Sequence, residues 1–368
     1  MKTYRVGVAG LGFIGAAHID ALRRVENVEV AALADVIGVD EKARKLNIPR
    51  AYSDYKDMID SGGIDAVHIC TPNNTHFEIA MYAMEKGLHV VCEKPFMHTL
   101  EEAQIAVKTA KEKGVANAVN YHNRFYPAPN NLKNLIKDGE LGDVISVNGG
   151  YVQDWLLYDT DFNWRLLSKN SGKTMVVADI GSHWLNLVEF VTGLKITEIF
   201  AEFSCVYPER KRALPEGGYE MVKIDTEQIA YILLRLENGA IGNGVFSTMM
   251  AGKKNKTFLT VSGKKMMGEW DSEKINDLLL GNRNEGNVVV TKDPSLAHPE
   301  TRPIIAYPGG HAEGFPDAFR QHFTQFYQSI GNPGMPAYYA TFEDGLRDMV
   351  LCDSVYESAH TGQWIKIK

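Results

Sequence analysis

The spacing of hydrophobic and polar residues changes once along this chain of 368 residues. In the first third, short apolar runs alternate with segments whose apolar positions recur at helical spacing. The runs predict buried strands at residues 4–9, 28–34, 66–70, 89–92 and 115–120. The segments between them predict helices near residues 16–25, 40–46, 75–86 and 100–113. Strands that alternate with helices in this way predict a parallel, doubly wound α/β sheet.

Two of these helices carry a capping-box sequence at their start. Thr75 is followed three residues later by Glu78, and Thr99 is followed in the same way by Glu102. In a capping box, each of the two side chains satisfies a backbone N–H group that the helix leaves unpaired. The two pairs therefore predict that helices begin after Thr75 and Thr99.

Beyond Tyr121 the strand patterns follow one another directly. A helix is predicted near residues 130–137, and strands are predicted at residues 144–152, 196–203, 226–236, 240–249, 257–262 and 268–271. Hairpin turns are predicted at Glu237-Asn238-Gly239 and Ser262-Gly263. Two more helices are predicted near residues 315–330 and 342–359. We expect an α/β domain over residues 1–122 and an α+β domain with a large, mostly antiparallel open sheet over residues 123–368.

Composition excludes several classes of protein. The hydrophobic content of 45% suits an ordinary globular protein, and the formal charge of −7 argues against a general nucleic-acid binder. The four cysteines are far apart and have neither metal-site nor disulfide-framework spacing. No apolar run reaches the roughly 20 residues of a membrane span, and no signal peptide is expected before the first strand. We therefore expect a cytoplasmic protein without membrane or nucleic-acid partners and without a metal.

A glycine fingerprint follows the first predicted strand. Gly10, Gly12 and Gly15 form the pattern GxGxxG, with Phe13 and Ile14 inside it, where a strand passes into a helix. In a dinucleotide site the first glycine permits the tight turn, the second admits the pyrophosphate and the third allows close packing of helix on strand. The helix start then offers N–H groups to the phosphates. These residues predict that the first domain is a Rossmann dinucleotide-binding domain.

Polar residues at the ends of later strands extend this prediction. Asp35 lies twenty residues beyond Gly15, where a carboxylate can bond a ribose 2′-hydroxyl and repel a 2′-phosphate. NAD is therefore favoured over NADP. Residues that follow the third strand are expected to border the same cofactor, namely Thr71, Pro72, Asn73 and His76. Glu93-Lys94-Pro95 ends the next strand, and a lysine at such a position can act as an acid or base.

The motifs together resemble those of the Gfo/Idh/MocA oxidoreductases, the family of glucose–fructose oxidoreductase and inositol dehydrogenase. The likeness is carried by residues 10–15, Asp35, residues 71–73, 93–95 and 120–125, and Asp179-Ile180-Gly181-Ser182-His183. It implies that Lys94 lies beside the nicotinamide and that Asp179 and His183 face it from the second domain. It also implies cofactor contacts from Glu93, Lys94 and Asn123, and substrate contacts from Tyr121 and Arg124.

The implied roles agree with the chemistry of alcohol oxidation. Histidine is the side chain that ordinarily titrates near neutral pH, so His183 can take the hydroxyl proton. Lys94 can hydrogen-bond the reacting oxygen. Asp179 can orient His183 or hold a neighbouring hydroxyl, or it can simply cap the helix that follows. Many family members have a glycine-rich run before this aspartate, whereas this chain has a bulkier loop in which Lys173 or Met175 can reach the pocket.

Two further segments resemble those of family members that act on sugars and anhydrosugars. They supply Gln153, Trp155, Trp164 and Arg165 as candidate substrate contacts. The alternative for the two tryptophans is a place in the core or at a subunit contact. His311, in a glycine-rich loop at residues 307–315, is another candidate substrate contact, and with Glu313 alone it does not form a metal-ligand set.

The sequence thus favours an NAD-dependent dehydrogenase that oxidises a secondary hydroxyl of a sugar, glycoside or cyclitol. Two alternatives stay open, a glycosidase that keeps its NAD and oxidises the substrate transiently, and a non-catalytic NAD-binding sensor. One face of an open antiparallel sheet needs a cover, so a homodimer or homotetramer formed through that sheet is expected.

Overall fold

The computed structural model describes residues 2–332, 334–335 and 337–367. The chain divides into two compact units. The first unit comprises Met1–Phe125 and Phe315–Met349, and the second comprises Tyr126–Gly314 and Val350–Lys368. The first unit therefore includes the late segment Phe315–Met349, which the predicted division between residues 122 and 123 assigned to the second domain.

The strands and helices are numbered in chain order. The strands are β1 (Tyr4–Ala9), β2 (Val28–Ala34), β3 (Ala51–Tyr52), β4 (Ala66–Ile69), β5 (His89–Cys92), β6 (Asn117–Val119), β7 (Val144–Val152), β8 (Ile196–Ser204), β9 (Glu209–Ala213), β10 (Tyr219–Lys223), β11 (Ile229–Leu236), β12 (Ile241–Ser247), β13 (Lys256–Gly263), β14 (Met267–Asp271), β15 (Asp277–Gly281), β16 (Val288–Thr291) and β17 (Ile365–Lys366). The helices are α1 (Phe13–Leu22), α2 (Val39–Leu46), α3 (Tyr55–Asp60), α4 (His76–Glu85), α5 (Leu100–Lys113), α6 (Pro127–Lys137), α7 (Ser168–Ser171), α8 (Ser182–Thr192), α9 (Phe315–Ile330) and α10 (Phe342–Thr361).

The first unit is built on a parallel sheet of six strands in the order β3-β2-β1-β4-β5-β6. Every pairing between neighbours in this sheet is parallel. The strands are buried at their centres, with β4 buried at all four positions, because helices cover the sheet. The predicted doubly wound Rossmann architecture is confirmed. The carboxyl ends of the central strands lie at one edge, which is where ligands bind in such sheets.

Of the two predicted capping boxes, one is present in the structure and the other is absent. Thr99 accepts a hydrogen bond from the Glu102 N–H, and Glu102 bonds the Thr99 N–H in return, so this capping box is confirmed. The box at Thr75 is wrong, because Thr75 makes no side-chain cap and its hydroxyl donates to the Pro72 carbonyl. The short elements β3 and α3 escaped prediction, since two strand residues and six helical residues carry almost no periodic signal.

The second unit contains a sheet of nine strands in the order β16-β15-β14-β13-β7-β12-β11-β8-β17. The pair β12 and β7 is parallel and the other neighbouring pairs are antiparallel, so the predicted mostly antiparallel sheet is confirmed. Strands β9 and β10 form a separate antiparallel pair that the sequence analysis did not predict. The turn at Glu237-Asn238-Gly239 is confirmed, with Gly239 at a φ of 88°. The turn at Ser262-Gly263 is wrong, because both residues belong to β13.

Helix α8 packs closely on this sheet because two strands carry glycine beneath it. A Cβ atom on Gly149 would lie 2.5 Å from Nε1 of Trp184, and one on Gly244 would lie 2.9 Å from the same ring. The indole is fully buried and donates a hydrogen bond to the Phe258 carbonyl at 2.9 Å. These contacts fix α8, and with it the residues at its start, against the sheet.

Among the helices that the structure describes, none has both the length and the apolar character that a membrane span requires.

Candidate functional site

The turn between β1 and α1 has the geometry that a dinucleotide site requires. Gly10 has a φ of 88°, in the left-handed region that favours glycine. A Cβ atom on Gly15 would lie 2.0 Å from the Gly10 carbonyl oxygen, so only glycine fits there. At Gly12 a Cβ atom would meet nothing within 4 Å, and no side chain caps α1 at this residue. The turn therefore leaves open space in front of the N–H groups at the start of α1.

Asp35 closes the other side of this turn. Its carboxylate accepts hydrogen bonds from the N–H groups of Leu11 at 2.7 Å and Ile37 at 2.9 Å. Lys42, on α2, also donates to it at 3.0 Å. Partial burial opposes ionisation, but these hydrogen bonds and the Lys42 charge lower the pKa of Asp35. The sequence analysis noted no compensating arginine after Asp35 and overlooked Lys42, one turn into the next helix.

The end of β4 is tied to the segment after β5 by a buried histidine. One ring nitrogen of His76 contacts the Thr71 carbonyl at 3.0 Å, and the other contacts the Pro95 carbonyl at 3.0 Å. Burial lowers the pKa of His76, so the ring is neutral and only one of its two nitrogens donates a hydrogen bond. Asn73 is buried, Thr71 is half-buried and Pro72 is exposed. His76 therefore fixes the backbone on which the predicted contacts Thr71, Asn73 and Lys94 stand.

Glu93 is the centre of a buried polar cluster at the end of β5. Its Oε1 atom lies 2.9 Å from Nε2 of His18 and also accepts from the side-chain amide of Asn120. Its Oε2 atom accepts from the Lys94 N–H at 3.2 Å. Burial disfavours ionisation, but the bonds from His18 and Asn120 lower the pKa of Glu93 to about 2. The carboxylate is thus ionised, and it accepts a hydrogen bond from the backbone of Lys94.

The cluster extends in both directions through further buried side chains. The Nδ1 atom of His18 lies 2.8 Å from Nδ1 of His68, whose Nε2 lies 2.8 Å from the Tyr327 hydroxyl. On the other side, the Asn120 amide oxygen accepts from Nδ1 of His322 at 2.9 Å. Burial lowers the pKa of His322 to about 3. None of these histidines was predicted to bear on the site.

The residues after β6 form a short 3₁₀ turn, His122–Phe125. Arg124 is buried and pairs with Asp344 at 3.2 Å, and Tyr121 is buried as well. The side-chain nitrogen of Asn123 is buried and has no hydrogen-bond partner within the described part of the chain. A buried amide N–H group of this kind calls for an acceptor, which a bound ligand can supply.

The second unit carries Asp179 and His183 on one continuous helical segment. A π-helical turn, Val177–Gly181, leads directly into α8, and its wide spacing is common at functional sites. Asp179 is partly exposed, and His183 is buried with its ring centroid 6.1 Å from that of Tyr151. The Asp179 carboxylate lies 3.6 Å from Nε of Arg165, whose guanidinium stacks 4.4 Å from the Trp164 ring. The structure thus brings four of the predicted residues together.

Two more of the predicted sugar contacts, Gln153 and Trp155, follow the end of β7. The Tyr151 hydroxyl donates to the Asn255 side-chain oxygen at 2.7 Å, and the Gln153 amide donates to the same atom at 2.6 Å. Trp155 in turn donates to Gln153 at 2.7 Å. Burial raises the pKa of Tyr151, and the nearby Asp179 charge raises it further. Tyr151 therefore joins the Gln153 and Trp155 pair to the Asp179 group, with Asn255 as a member that the sequence did not reveal.

His311 stands on a loop that a buried ion pair holds. The Lys292 ammonium group lies 2.9 Å from the Glu313 carboxylate, and both side chains are buried. Lys292 also donates to the carbonyl groups of Tyr307 and His311, at 2.9 and 2.8 Å. The His311 side chain is exposed and contacts the Gly309 carbonyl of its own loop at 3.2 Å. The structure therefore does not join His311 to the Asp179 group.

These observations fit a dinucleotide in the first unit. The open space at Gly12, the exposed N–H groups of α1, the Asp35 carboxylate and the unpaired amide of Asn123 all lie beyond the carboxyl ends of parallel strands. Phe13, which follows Gly12, is 79% exposed, and its ring stacks on Phe315 with the centroids 6.2 Å apart. The described residues hold no group of three or more His, Cys, Asp or Glu side chains arranged for a metal ion.

Comparison with known proteins gives the same picture over the whole chain. Residues 4–121 match the model of an oxidoreductase family with an NAD-binding Rossmann fold, and residues 130–267 match that of the GFO/IDH/MocA C-terminal domain. Levoglucosan dehydrogenase of Pseudarthrobacter phenanthrenivorans is 26% identical over 395 residues, which cover 100% of this chain and 99% of that protein.

Solved structures agree with these matches. A levoglucosan dehydrogenase in complex with NADH and L-sorbose has a TM-score of 0.92 at 25% identity, covering 100% of both chains. An inositol dehydrogenase homolog from Azotobacter vinelandii, complexed with NADH and myo-inositol, has a TM-score of 0.87 at 25% identity, covering 99% of this chain and 98% of that one.

Proposed function

Because the chain belongs to the Gfo/Idh/MocA family of NAD-binding oxidoreductases, we propose that it is an NAD-dependent dehydrogenase acting on a secondary hydroxyl of a sugar, glycoside or cyclitol. The observation that carries this proposal is the match over the full length of both chains to a dehydrogenase solved with NADH and L-sorbose. The nucleotide turn at Gly10, Gly12 and Gly15 and the carboxylate of Asp35 support the choice of NAD.

The proposed chemistry divides alcohol oxidation between the cofactor and the side chains. When bound, the nicotinamide supplies the hydride acceptor. His183 takes the hydroxyl proton as general base, and Lys94 donates a hydrogen bond to the reacting oxygen and stabilises its developing negative charge. Asp179 orients the substrate or His183, and its own position is supported by the contact with Arg165.

The substrate class is proposed from the groups around Asp179. Trp164, stacked on Arg165, offers an aromatic face, and Gln153, Asn255 and Tyr151 offer amide and hydroxyl groups. Such a mixture suits a ring with several hydroxyl groups, because aromatic faces cover the ring and polar groups bond its hydroxyls.

Steady-state formation of NADH tests the proposal. Purified protein would be assayed with a panel of inositols, monosaccharides, glucosides and levoglucosan, with NAD and NADP in parallel. We expect turnover with at least one polyol and a preference for NAD. Lys94→Ala and His183→Gln should each lower kcat by about 10²- to 10⁴-fold, the usual contribution of an acid or base. Lys86→Ala, which removes an exposed lysine on the same unit, is the matched control and should leave kcat unchanged.

The outcomes separate the three functions that the sequence left open. Turnover that survives both substitutions would overturn the proposed acid and base. Release of an aglycone from a glucoside without net NADH formation, from protein that retains NAD, would show the glycosidase. Tight NAD binding with no turnover of any kind would show the sensor.

We further propose that the protein assembles through the uncovered face of the nine-stranded sheet. Along β11, buried residues alternate with exposed ones, and the exposed set includes Tyr231 and Leu233. Ile241 on the neighbouring strand β12 is 62% exposed. An apolar face of this kind is suited to a second copy of the chain. Light scattering should report a dimer or tetramer for the wild type and a smaller species for Leu233→Glu.

A further inference from the structure

Glu227 is a buried carboxylate bonded to the backbone at the start of the helical segment that carries Asp179 and His183. Its side chain is 5% exposed and comes from the loop before β11. It accepts hydrogen bonds from the Met175 N–H at 3.0 Å and from the Val177 N–H at 2.9 Å. In the described part of the chain these donors are backbone groups rather than a lysine or arginine, which is unusual for a buried acid.

The carboxylate completes the start of this helical segment. The first turn of a helix has backbone N–H groups without partners inside the helix, and it favours negative charge. Here the acceptor is supplied by a residue about 50 positions further along the chain rather than by a local cap. The turn from Val177 to Gly181 is therefore held to the loop before β11 through one side chain.

A short chain of hydrogen bonds leads from Glu227 to Asp179. The N–H of Met175 donates to Glu227, and the carbonyl of the same residue accepts from the Asp179 N–H at 2.8 Å. Val177, the second residue bonded to Glu227, lies two positions before Asp179. The position of the Asp179 backbone thus depends on a carboxylate that does not itself face Arg165 or Tyr151.

We propose that Glu227 is a positioning residue for the dehydrogenase reaction, which holds the π-helical turn so that Asp179 and His183 stand in reactive geometry. The inference rests on the proposed function, since it assigns Asp179 and His183 to that reaction. Glu227 acts through the turn and not on the substrate. Residues 171–178, which replace the glycine-rich run of many family members with larger side chains, are held in place as well. Met175 is buried, and Lys173 pairs with Asp353 at 2.6 Å.

The ionised form is the one that fits this role. Burial raises the pKa of Glu227 to about 7, although the N–H groups of Val177 and Met175 oppose the rise. At pH 9 the carboxylate is therefore charged, and both oxygens accept hydrogen bonds. In Glu227→Gln the shape is kept, but the charge and one acceptor are lost. Assays at pH 9 therefore compare a charged carboxylate in the wild type with a neutral amide in the variant.

Kinetics of Glu227→Gln provide the first test. We expect kcat for the best polyol of the panel to fall about tenfold, because small displacements of reacting groups are costly. The KM for NAD should stay within about twofold of the wild-type value. The matched control is Gln228→Met, since Gln228 is the next residue, is fully buried and accepts from the backbone N–H groups of Val206 and Tyr207. It should lower the melting temperature while leaving kcat within about twofold. Equal losses of kcat in the two variants would overturn the proposal.

A double-mutant cycle shows whether Glu227 acts through Asp179. We expect Glu227→Gln to lower kcat about tenfold in the wild type and by less than about twofold when Asp179→Asn is already present. Equal effects in both backgrounds would mean that Glu227 acts independently of Asp179, which would overturn the proposal. If Glu227→Gln does not fold, Glu227→Asp, which keeps the charge on a shorter side chain, takes its place in the cycle.

Hydrogen exchange tests the same contact without any turnover. In the wild type at pH 9 the amides of Met175 and Val177 should be protected, and Glu227→Gln should increase their exchange by at least about tenfold. The exchange of α1 should not change. Absence of turnover in the wild type would contradict the proposed function, whereas unchanged exchange at residues 175 and 177 would overturn the role of Glu227. The two failures are therefore distinguishable.

Discussion

Glu93 and His18 form a buried charge-assisted pair, with Oε1 of the carboxylate 2.9 Å from Nε2 of the ring. They are 75 positions apart in the sequence, with Glu93 directly after β5 and His18 in the middle of α1. The same carboxylate accepts from the backbone N–H of Lys94. The pair therefore connects the helix of the nucleotide turn to the proposed catalytic lysine, and its loss should affect both stability and activity.

Replacement of Glu93 by glutamine should destabilise the protein at neutral pH. Breaking a buried pair by removing one partner costs about 3–5 kcal/mol of unfolding free energy. Urea denaturation at pH 7 measures the loss. Glu78→Gln is the control, since its pair with Lys56 is exposed and such pairs contribute about 0–1 kcal/mol. Equal losses in the two variants would contradict the structural role of Glu93.

The same pair should give stability a defined dependence on pH. The pKa of Glu93 is about 2 in the folded protein, below the 4.5 of a free glutamate side chain. Its contribution is therefore complete above about pH 4.5 and is lost as the pH falls through 2. The difference in unfolding free energy between wild type and Glu93→Gln should shrink from pH 7 to pH 3. A difference that stays constant over this range would contradict the assigned charge state.

The sequence allowed most of the fold to be predicted because its signals are local. Buried parallel strands appear as continuous apolar runs, and the turn at Gly10, Gly12 and Gly15 is defined by glycine spacing within six residues. Strands β9, β10, β15, β16 and β17 were missed because they are short and their faces are mixed or largely exposed. Without a clear alternation, strand and loop look alike in one sequence.

The supporting residues of the site could not be predicted, since their partners are distant in the sequence. Glu227 and Val177 are 50 positions apart, and His68 and Tyr327 are 259 apart. A buried glutamate or histidine has the same letter as an exposed one, so only the folded structure distinguishes them. Lys42 is different, because helical spacing after Asp35 was a signal that could have suggested it. The pairing of Lys94 with His183 stays a prediction.

The choice between NAD and NADP should depend on two residues rather than one. Asp35→Asn should lower kcat/KM for NAD and raise it for NADP, each by about tenfold, because a carboxylate at this position can bond a ribose hydroxyl and repel a 2′-phosphate. Lys42 lies 3.0 Å from Asp35 and supplies a cation for that phosphate once the carboxylate is gone. Steady-state kinetics with both cofactors measure the switch.

The role of Lys42 is tested in the Asp35→Asn background. Addition of Lys42→Met should remove most of the gain with NADP. Lys45→Met serves as the control, since Lys45 is on the same helix but pairs with Glu41 at the exposed surface. A gain with NADP that persists without Lys42 would assign the effect to the loss of Asp35 alone.

Alanine at Gly15 should lower the stability of the protein, whereas alanine at Gly12 should weaken cofactor binding without a loss of stability. Gly15→Ala places a methyl group 2.0 Å from the Gly10 carbonyl and should lower the unfolding free energy by about 1–3 kcal/mol. Gly12→Ala meets no protein atom within 4 Å and should leave the melting temperature unchanged. It should nevertheless weaken NADH binding at least about tenfold, because the methyl group stands where the pyrophosphate approaches. If a fluorescence titration shows that Gly12→Ala binds NADH with wild-type affinity, the pyrophosphate does not bind beside Gly12.

Two substitutions at the loop that carries His311 should also affect different properties. Lys292→Met should lower stability, and His311→Ala should affect substrate binding. Lys292→Met removes the cation of a buried pair and the donor to three loop carbonyl groups, so it should lower the unfolding free energy by about 3–5 kcal/mol. His311→Ala removes an exposed ring and should change stability by less than about 0.5 kcal/mol. If His311 contacts the sugar, as the sequence predicts, His311→Ala should raise the KM for the polyol several-fold while the KM for NAD is unchanged. An unchanged polyol KM would exclude His311 from the substrate site and leave the loop with a structural role held by Lys292 and Glu313.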